Sequence, residues 1–133
     1  MKNRDKYLMD KAILASKQSY CKRNKVGAAL TIDGRTLVDG YNGTLSGFDN
    51  KCEDGDSTKD CVMHAEQNVI AFAAKYGIST KDTTLYVTVS PCINCAKLII
   101  QAGIKEVVYL EEYRDLSGLE LLRDAKIIVR RLK

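Results

Sequence analysis

Two short stretches limit what this chain can fold into more than any other feature: His64-Ala65-Glu66 and Pro91-Cys92-Ile93-Asn94-Cys95. Each opens an apolar segment with helical spacing. Val69, Ile70, Ala73 and Ala74 follow the first, and Leu98, Ile99 and Ala102 follow the second. His64, Cys92 and Cys95 therefore stand at two helix N-termini. Cys92 and Cys95, three apart, share a helical face, and the positive end of the helix dipole should lower both thiol pKa values and favour the thiolates a metal needs. Two thiolates and one imidazole suit zinc, and three protein ligands leave the fourth tetrahedral position open, as in catalytic rather than structural sites. Taken singly, each half has a plainer explanation. C-x-x-C can be a redox pair or a structural knuckle, and His64, the only histidine, can be a core or surface group. Both halves together, each ahead of a helical pattern, favour a metal, and a shared metal requires a fold that brings two helix starts to one point.

Glu66 directs the chemistry. Zinc lowers the pKa of a bound water from about 15.7 to about 7, roughly 12 kcal/mol of deprotonation free energy at about 1.36 per unit. A carboxylate beside the metal can then carry protons. H-x-E followed by P-C-x-x-C is a zinc-deaminase signature in which the Glu shuttles protons and is not a ligand. In hydrolytic deamination water adds to an amidine carbon, a ring nitrogen is protonated and the amine leaves as ammonia, and one carboxylate can serve all three steps. Residues two apart on an ideal helix point about 200° apart, so Glu66 must reach the site from an incompletely wound first turn.

The rest of the chain fits a single domain spanning 1–133, with 45% apolar and 29% charged residues, as in soluble globular proteins. One proline and nine glycines leave little room for a linker. No apolar run approaches a membrane span, and the charged first eleven residues lack the apolar core of a signal peptide, so a cytoplasmic protein without membrane contact is expected. Five cysteines are an odd number, and two are assigned to the metal, which argues against a disulfide framework. A net charge of +4 suits a phosphorylated small substrate, and the dense basic stripe of a nucleic-acid binder is missing.

Along the chain, Tyr7, Leu8, Ala12, Leu14 and Ala15 recur at helical intervals, predicting a helix from Asp5 to about Tyr20. Strands are predicted over 26–32 and 36–41, joined by Asp33-Gly34, a strong hairpin signal. A polar stretch from Tyr41 to Asp60 is too long for an ordinary connection and reads as a functional loop. A helix over 64–75, a strand over 84–89, a helix over 92–102, a strand over 106–110, a helix near 119–124 and a strand over 127–130 complete the order. A hairpin followed by alternating helices and strands argues for one mixed sheet covered on both faces, its last three strands parallel. Both ligand-bearing helices then begin at one sheet edge, where open α/β sheets bind ligands.

The motifs Val26-Gly27-Ala28, Gly40-Tyr41-Asn42-Gly43, His64-Ala65-Glu66-Gln67-Asn68, Ser90-Pro91-Cys92-Ile93-Asn94-Cys95-Ala96-Lys97, Gln101-Ala102-Gly103-Ile104-Lys105 and Tyr113-Arg114 resemble the deoxycytidylate (dCMP) deaminases of the cytidine-deaminase-like superfamily, over nearly the whole chain. The zinc motif alone would admit cytidine, guanine, riboflavin-precursor and tRNA-adenosine deaminases; the G-Y-N-G element and the Tyr-Arg pair narrow it. The resemblance implies a three-layer α/β/α fold with a five-stranded mixed sheet. It implies zinc on His64, Cys92 and Cys95 and proton transfer by Glu66 among water, ring N3 and the leaving amine. The Ala65 N–H would hold the pyrimidine O2 and the Ser90 carbonyl the exocyclic amine. Asn42 would bond the sugar, and Arg23, Tyr113 and Arg114 would surround the 5′-phosphate, with Ser19 and Asn24 nearby. Arginine forks suit a phosphate dianion, although Arg23 or Arg114 alone could be a solvated charge and Tyr113 alone packing.

Relatives often carry a second, structural zinc, and Cys21, Cys52 and Cys61 could supply most of it, with Glu53 or Asp60 completing the set; the plain alternative is buried free thiols. The resemblance also implies a hexamer activated by dCTP and inhibited by dTTP, with Mg2+ accompanying the nucleotide effector. Contacts for such an effector would fall at Asn42, Gly43, Phe72 and Lys75, although Lys75 could equally be a solvated helix charge. The implied reaction converts dCMP and water to dUMP and ammonia, feeding dTTP synthesis. Its rivals are the same chemistry on another cytosine nucleotide, a nucleoside or tRNA adenosine, and a non-catalytic zinc scaffold, which would have no need of Glu66.

Overall fold

The structure, a computed structural model, describes residues 2–133. Helix α1 (Lys2–Ser16) leads into the hairpin of β1 (Gly27–Ile32) and β2 (Arg35–Tyr41). Four two-residue strands follow: β3 (Gly43–Thr44), β4 (Glu53–Asp54), β5 (Ser57–Thr58) and β6 (Val62–Met63). Then come α2 (Ala65–Lys75), β7 (Thr84–Val89), α3 (Ile93–Gln101), β8 (Glu106–Glu111), α4 (Ser117–Asp124) and β9 (Ile128–Arg131). The main sheet has the order β2-β1-β7-β8-β9. β1 is antiparallel to both β2 and β7, whereas β7, β8 and β9 are parallel. The mixed five-stranded sheet expected from the element order is thus the one observed.

The alternation of side chains across the pleat divides the core into two layers. Ala28, Leu30, Leu85, Val87, Val107 and Tyr109 face one way and pack with Val69 and Ala73 of α2, Ile99 of α3 and Leu119 and Leu122 of α4. The intervening Ala29, Tyr86 and Val108 face the other way, onto Leu8, Met9 and Ala12 of α1. At the Asp33-Gly34 turn both residues have positive φ, 50° and 78°, the twist a two-residue hairpin needs. α1 ends four residues before the predicted Tyr20 because Lys17, Gln18 and Ser19 donate to carbonyls three residues back, at Leu14, Ala15 and Ser16, a tightening that ends a helix.

A polar clasp ties α1 to the far edge of the sheet. Arg130 on β9 donates to both Asp5 carboxylate oxygens (2.8 and 3.0 Å) and to Glu106 (2.7 Å), while the Tyr86 hydroxyl donates to Asp5 at 2.6 Å. The Arg130 guanidinium beside Asp5 holds its carboxyl down to about 2.

The predicted loop over 41–60 is partly ordered by short pairings. β3 pairs with β6 and β4 with β5. Here the structure corrects the reading of the cysteines: Cys21 and Cys52 form a disulfide, both fully buried. An odd count with two residues taken by a metal leaves room for one bridge, and only the crossing of the α1–β1 loop with the β3–β4 segment brings this pair together. Cys61 is a free, half-buried thiol apart from them, its carbonyl accepting the Leu45 N–H. The expected metal site on Cys21, Cys52 and Cys61 is therefore replaced by a covalent bond. Glu53 does lie beside the pair, but its carboxylate accepts the N–H groups of Lys22 (3.0 Å) and Arg23 (3.1 Å). Among the described residues no helix is long and apolar enough to cross a membrane.

Candidate active site

Strands β2, β7 and β8 end at the same sheet edge, and the two ligand-bearing helices begin there. α2 docks through Asn68, whose side-chain amide donates to the carbonyl of Tyr41 at the end of β2 (2.7 Å). α3 follows β7 directly. His64 and Cys92 hold equivalent places, each the N-cap residue of its helix with extended backbone, ψ 157° and 171°. His64 is thus outside the helical winding, so the ideal-helix angle between His64 and Glu66 does not apply, and Glu66 on the second residue of α2 is turned inward, 4% exposed.

His64 Nδ1 lies 3.2 Å from Cys95 Sγ and 3.6 Å from Cys92 Sγ. A tetrahedral zinc with ordinary bond lengths of about 2.05 Å to nitrogen and about 2.3 Å to sulfur separates its N and S ligands by about 3.6 Å. The three donor atoms therefore already outline one face of a coordination tetrahedron, and two sulfurs with one imidazole are the donor chemistry zinc prefers.

The electrostatics differ from the expectation of two lowered thiols. Cys92 is pulled down to about 4, first by a hydrogen bond with Cys95 and then by His64. Cys95 is pushed up by its contact with Cys92 and by burial. The contact between the two sulfurs thus acts on them in opposite directions, lowering the thiol at the helix cap and raising the buried one. The hydrogen bond with Cys92 raises His64. Burial pushes the Glu66 carboxyl up to about 7, far outside the ordinary range of an exposed glutamate.

Gln67 belongs to this machinery and was not singled out from the sequence, although its spacing was legible: a Gln three residues after an N-cap is half of a capping box. Its side-chain oxygen accepts the His64 N–H at 2.8 Å and so orients the ligand.

The remaining residues form two groups. Near the cysteines, Ala65 is the buried first residue of α2, where a backbone N–H has no helical partner. Ser90 is buried at the end of β7; its N–H donates to the Glu111 carbonyl (2.8 Å) and its hydroxyl accepts the Tyr113 N–H (2.7 Å). Tyr113 is half-buried, and the neighbouring Arg114 is exposed and free of ion pairs among the described residues.

The second group surrounds Asn42. Its side chain accepts from Val26 N–H (2.9 Å) and donates to the Asn24 carbonyl (2.8 Å), and its own carbonyl accepts the Ser19 hydroxyl (2.9 Å). This buried amide therefore organises the loop that carries Ser19, Arg23 and Asn24, keeping one donor and one lone pair for a ligand. The Arg23 guanidinium is turned toward the β4–β5 hairpin, donating to the Asp56 carbonyl (2.5 Å) with Thr58 Oγ1 at 3.5 Å. No hydrogen bond joins Arg23 or Asn24 to Tyr113 or Arg114 among the described residues.

Gly43 and Phe72 line a separate hollow of about 350 Å³ with Tyr20, Asp39, Phe48 and Asn68. Lys75 is not part of its wall; its ammonium lies 5.5 Å over the Tyr76 ring.

The sequence family described as the cytidine and deoxycytidylate deaminase zinc-binding region matches residues 2–111. The chain belongs to this deaminase family. It is 40% identical over 114 residues to ComE operon protein 2 of Bacillus subtilis (strain 168), covering 83% of this chain and 60% of that protein. It is 36% identical over 137 residues to the deoxycytidylate deaminase of Saccharomyces cerevisiae, covering 95% of this chain and 44% of that protein. The chain thus spans about half the length of these two relatives. A crystal structure of dCMP deaminase from the cyanophage S-TIM5, in complex with dCMP and dUMP, superimposes with a TM-score of 0.96 at 42% identity, covering 99% of this chain and 98% of that one. The deaminase family's zinc-binding description agrees with the donor set at His64, Cys92 and Cys95.

Proposed function

We propose that the protein deaminates dCMP hydrolytically, taking dCMP and water to dUMP and ammonia and so supplying dUMP for dTTP synthesis in the cytoplasm. The observation that carries this reading is the buried Glu66 carboxyl beside the His64, Cys92 and Cys95 donors, in a chain that matches a dCMP- and dUMP-bound deaminase over nearly its full length. Zinc held by the three donors supplies the Lewis acidity that makes water acidic enough to attack at neutral pH. Glu66 takes one proton of the attacking water on a carboxylate oxygen and gives it to ring N3, then takes the second from the hydroxyl so formed and passes it to the amine nitrogen, which leaves as ammonia. The Ala65 N–H holds the pyrimidine O2, and the Ser90 carbonyl accepts from the exocyclic amine and orients it. Burial of Ala65, Glu66 and Ser90 keeps bulk water from competing for these hydrogen bonds.

Asn42 binds the sugar with the donor and lone pair left free by its contacts to Val26 and Asn24. Tyr113 and Arg114 take the 5′-phosphate, with Arg114, free of ion pairs among the described residues, available for a bidentate contact. Arg23, Ser19 and Asn24 close the far side once Arg23 turns from the β4–β5 hairpin toward the anion. The hollow beside Gly43 and Phe72 receives a triphosphate effector with Mg2+, dCTP activating and dTTP inhibiting, within a hexamer; its aromatic walls and separation from the cysteines support that role.

The deciding experiment measures ammonia release with dCMP, CMP, deoxycytidine and dCTP as substrates, each with and without dCTP or dTTP as effector. Turnover confined to dCMP and tuned by the triphosphates is expected. Equal turnover of deoxycytidine would remove the phosphate grip, and hyperbolic kinetics indifferent to both triphosphates would remove the effector site.

A further inference from the structure

We propose that Gly118 is a positioning residue for the metal: it lets the first turn of α4 lie directly against the Pro91–Cys92 backbone and thereby fixes the Cys92 thiolate. A Cβ at Gly118 would stand 2.1 Å from the Pro91 carbonyl oxygen, 2.8 Å from the Cys92 carbonyl carbon and 2.9 Å from its oxygen. All three are backbone atoms, so no side-chain rotation relieves the contact. Gly118 lies inside a helix, and on intrinsic propensity alone Ala would be the better residue there. Its place is explained by the approach of the two backbones.

Which side would yield is set by the surroundings. α4 is seated in the main core by Leu119 and Leu122, 2% and 0% exposed. The segment leading into it is tied to the ligand turn from the other end, because Ser90 receives the Tyr113 N–H and donates to the Glu111 carbonyl. The Cys92 carbonyl in turn accepts the Ala96 N–H as the first bond of α3 (2.9 Å). Residues 111–118 and 90–92 are thus one clamped unit with Gly118 at its tightest point. Moving an alanine methyl from 2.1 Å to the 3.4 Å of ordinary contact needs a displacement of at least 1.3 Å, which falls on the peptide that carries Cys92. Groups that orient metal ligands typically contribute about 10–100-fold to metal affinity when altered, and the shift would also move Tyr113.

The inference rests on the assignment of His64, Cys92 and Cys95 as zinc ligands. The full chain is prepared as wild type, Gly118→Ala and Leu122→Ala, and zinc affinity is measured by competition with a chromophoric chelator, beside the absorption spectrum of the Co2+-substituted protein and the Tm of the metal-free protein. Gly118→Ala is expected to bind zinc 10–100-fold more weakly, in the range found for such orienting groups, with altered thiolate-to-cobalt bands. Leu122→Ala, which empties a core position on the same helix, is expected to lower Tm with zinc affinity unchanged. Unaltered zinc affinity and cobalt spectrum in Gly118→Ala would overturn the proposal, as would an equal loss of affinity in Leu122→Ala, which would trace the effect to general destabilisation. Should Gly118→Ala not fold, Ser90→Ala removes the hydroxyl that accepts the Tyr113 N–H and so loosens the same segment on the same turn, and unchanged zinc affinity in it would overturn the proposal. A wild-type chain that binds no zinc would overturn the ligand assignment together with the role of Gly118, whereas tight and equal binding by wild type and Gly118→Ala would overturn the role of Gly118 alone.

Discussion

Replacing Glu66 by Gln separates chemistry from metal binding and folding. The substitution keeps the size of a side chain that is 4% exposed and removes its ability to accept a proton. The titratable groups around it, His64, Cys92 and Cys95, are the candidate metal donors and cannot substitute as carriers. A single general acid or base contributes about 10²–10⁴ in rate. Proton transfer at three sites, the water, ring N3 and the leaving amine, is assigned to this one carboxyl, so the loss should lie at the upper end, about 10⁴-fold in kcat or more, equivalent to about 5.5 kcal/mol of barrier. Zinc content should stay at one ion per chain, KM for dCMP should change little, and the Tm should not fall, because a neutral amide is easier to bury than a carboxylate. Steady-state ammonia release, metal analysis and a thermal melt on the same preparation read all of these. A kcat within tenfold of wild type would refute the proton-shuttle role, and loss of zinc would show that Glu66 holds the site together.

Further outcomes follow from other parts of the structure. Arg114→Ala should raise KM for dCMP about 10–100-fold, the scale of a hydrogen bond to a charged group at about 1.5–3 kcal/mol, and leave any turnover of deoxycytidine unchanged; equal effects on both substrates would place Arg114 away from the phosphate. Asp5, held at about 2 by Arg130 and Tyr86, contributes stability above the ordinary carboxylate pKa of about 3.9 and loses it as pH falls toward 2. Because the Arg130 side chain is 42% exposed, solvent screening reduces that contribution to about 1 kcal/mol. Urea titration of Arg130→Gln against wild type should show this difference at pH 7 and a shrinking one between pH 4 and pH 2; a pH-independent difference would assign the effect to packing. Thiol titration of the denatured, metal-free chain should find three free thiols, from Cys61, Cys92 and Cys95, and five after reduction; five before reduction would contradict the Cys21–Cys52 bridge.

Local signals carried the order of elements, because hydrophobic periodicity and turn chemistry act over a few residues. Asp33-Gly34 specified the hairpin, the apolar spacing after His64 and Cys92 specified two helices, and the helix between each of the last three strands required them to be parallel. The same locality made His64, Glu66, Cys92 and Cys95 visible as residues of one kind of chemistry, and left Gln67 visible as a capping partner.

What only the tertiary structure decided concerns atoms brought together from distant parts of the chain. Counting cysteines could not reveal that Cys21 meets Cys52, since parity says nothing of proximity. A dipole argument lowers both thiols alike, whereas burial and mutual contact move them in opposite directions, Cys92 down and Cys95 up. Asn42, expected as a sugar contact, is in addition the hub of a loop, and Arg23 is turned toward a hairpin that no periodicity announced. Gly118 carries no motif at all; its role exists only where α4 touches the Pro91–Cys92 peptide. Residue types and spacings determine which chemistry and which elements are available, and the packing of those elements sets the distances and burial on which charge and position depend.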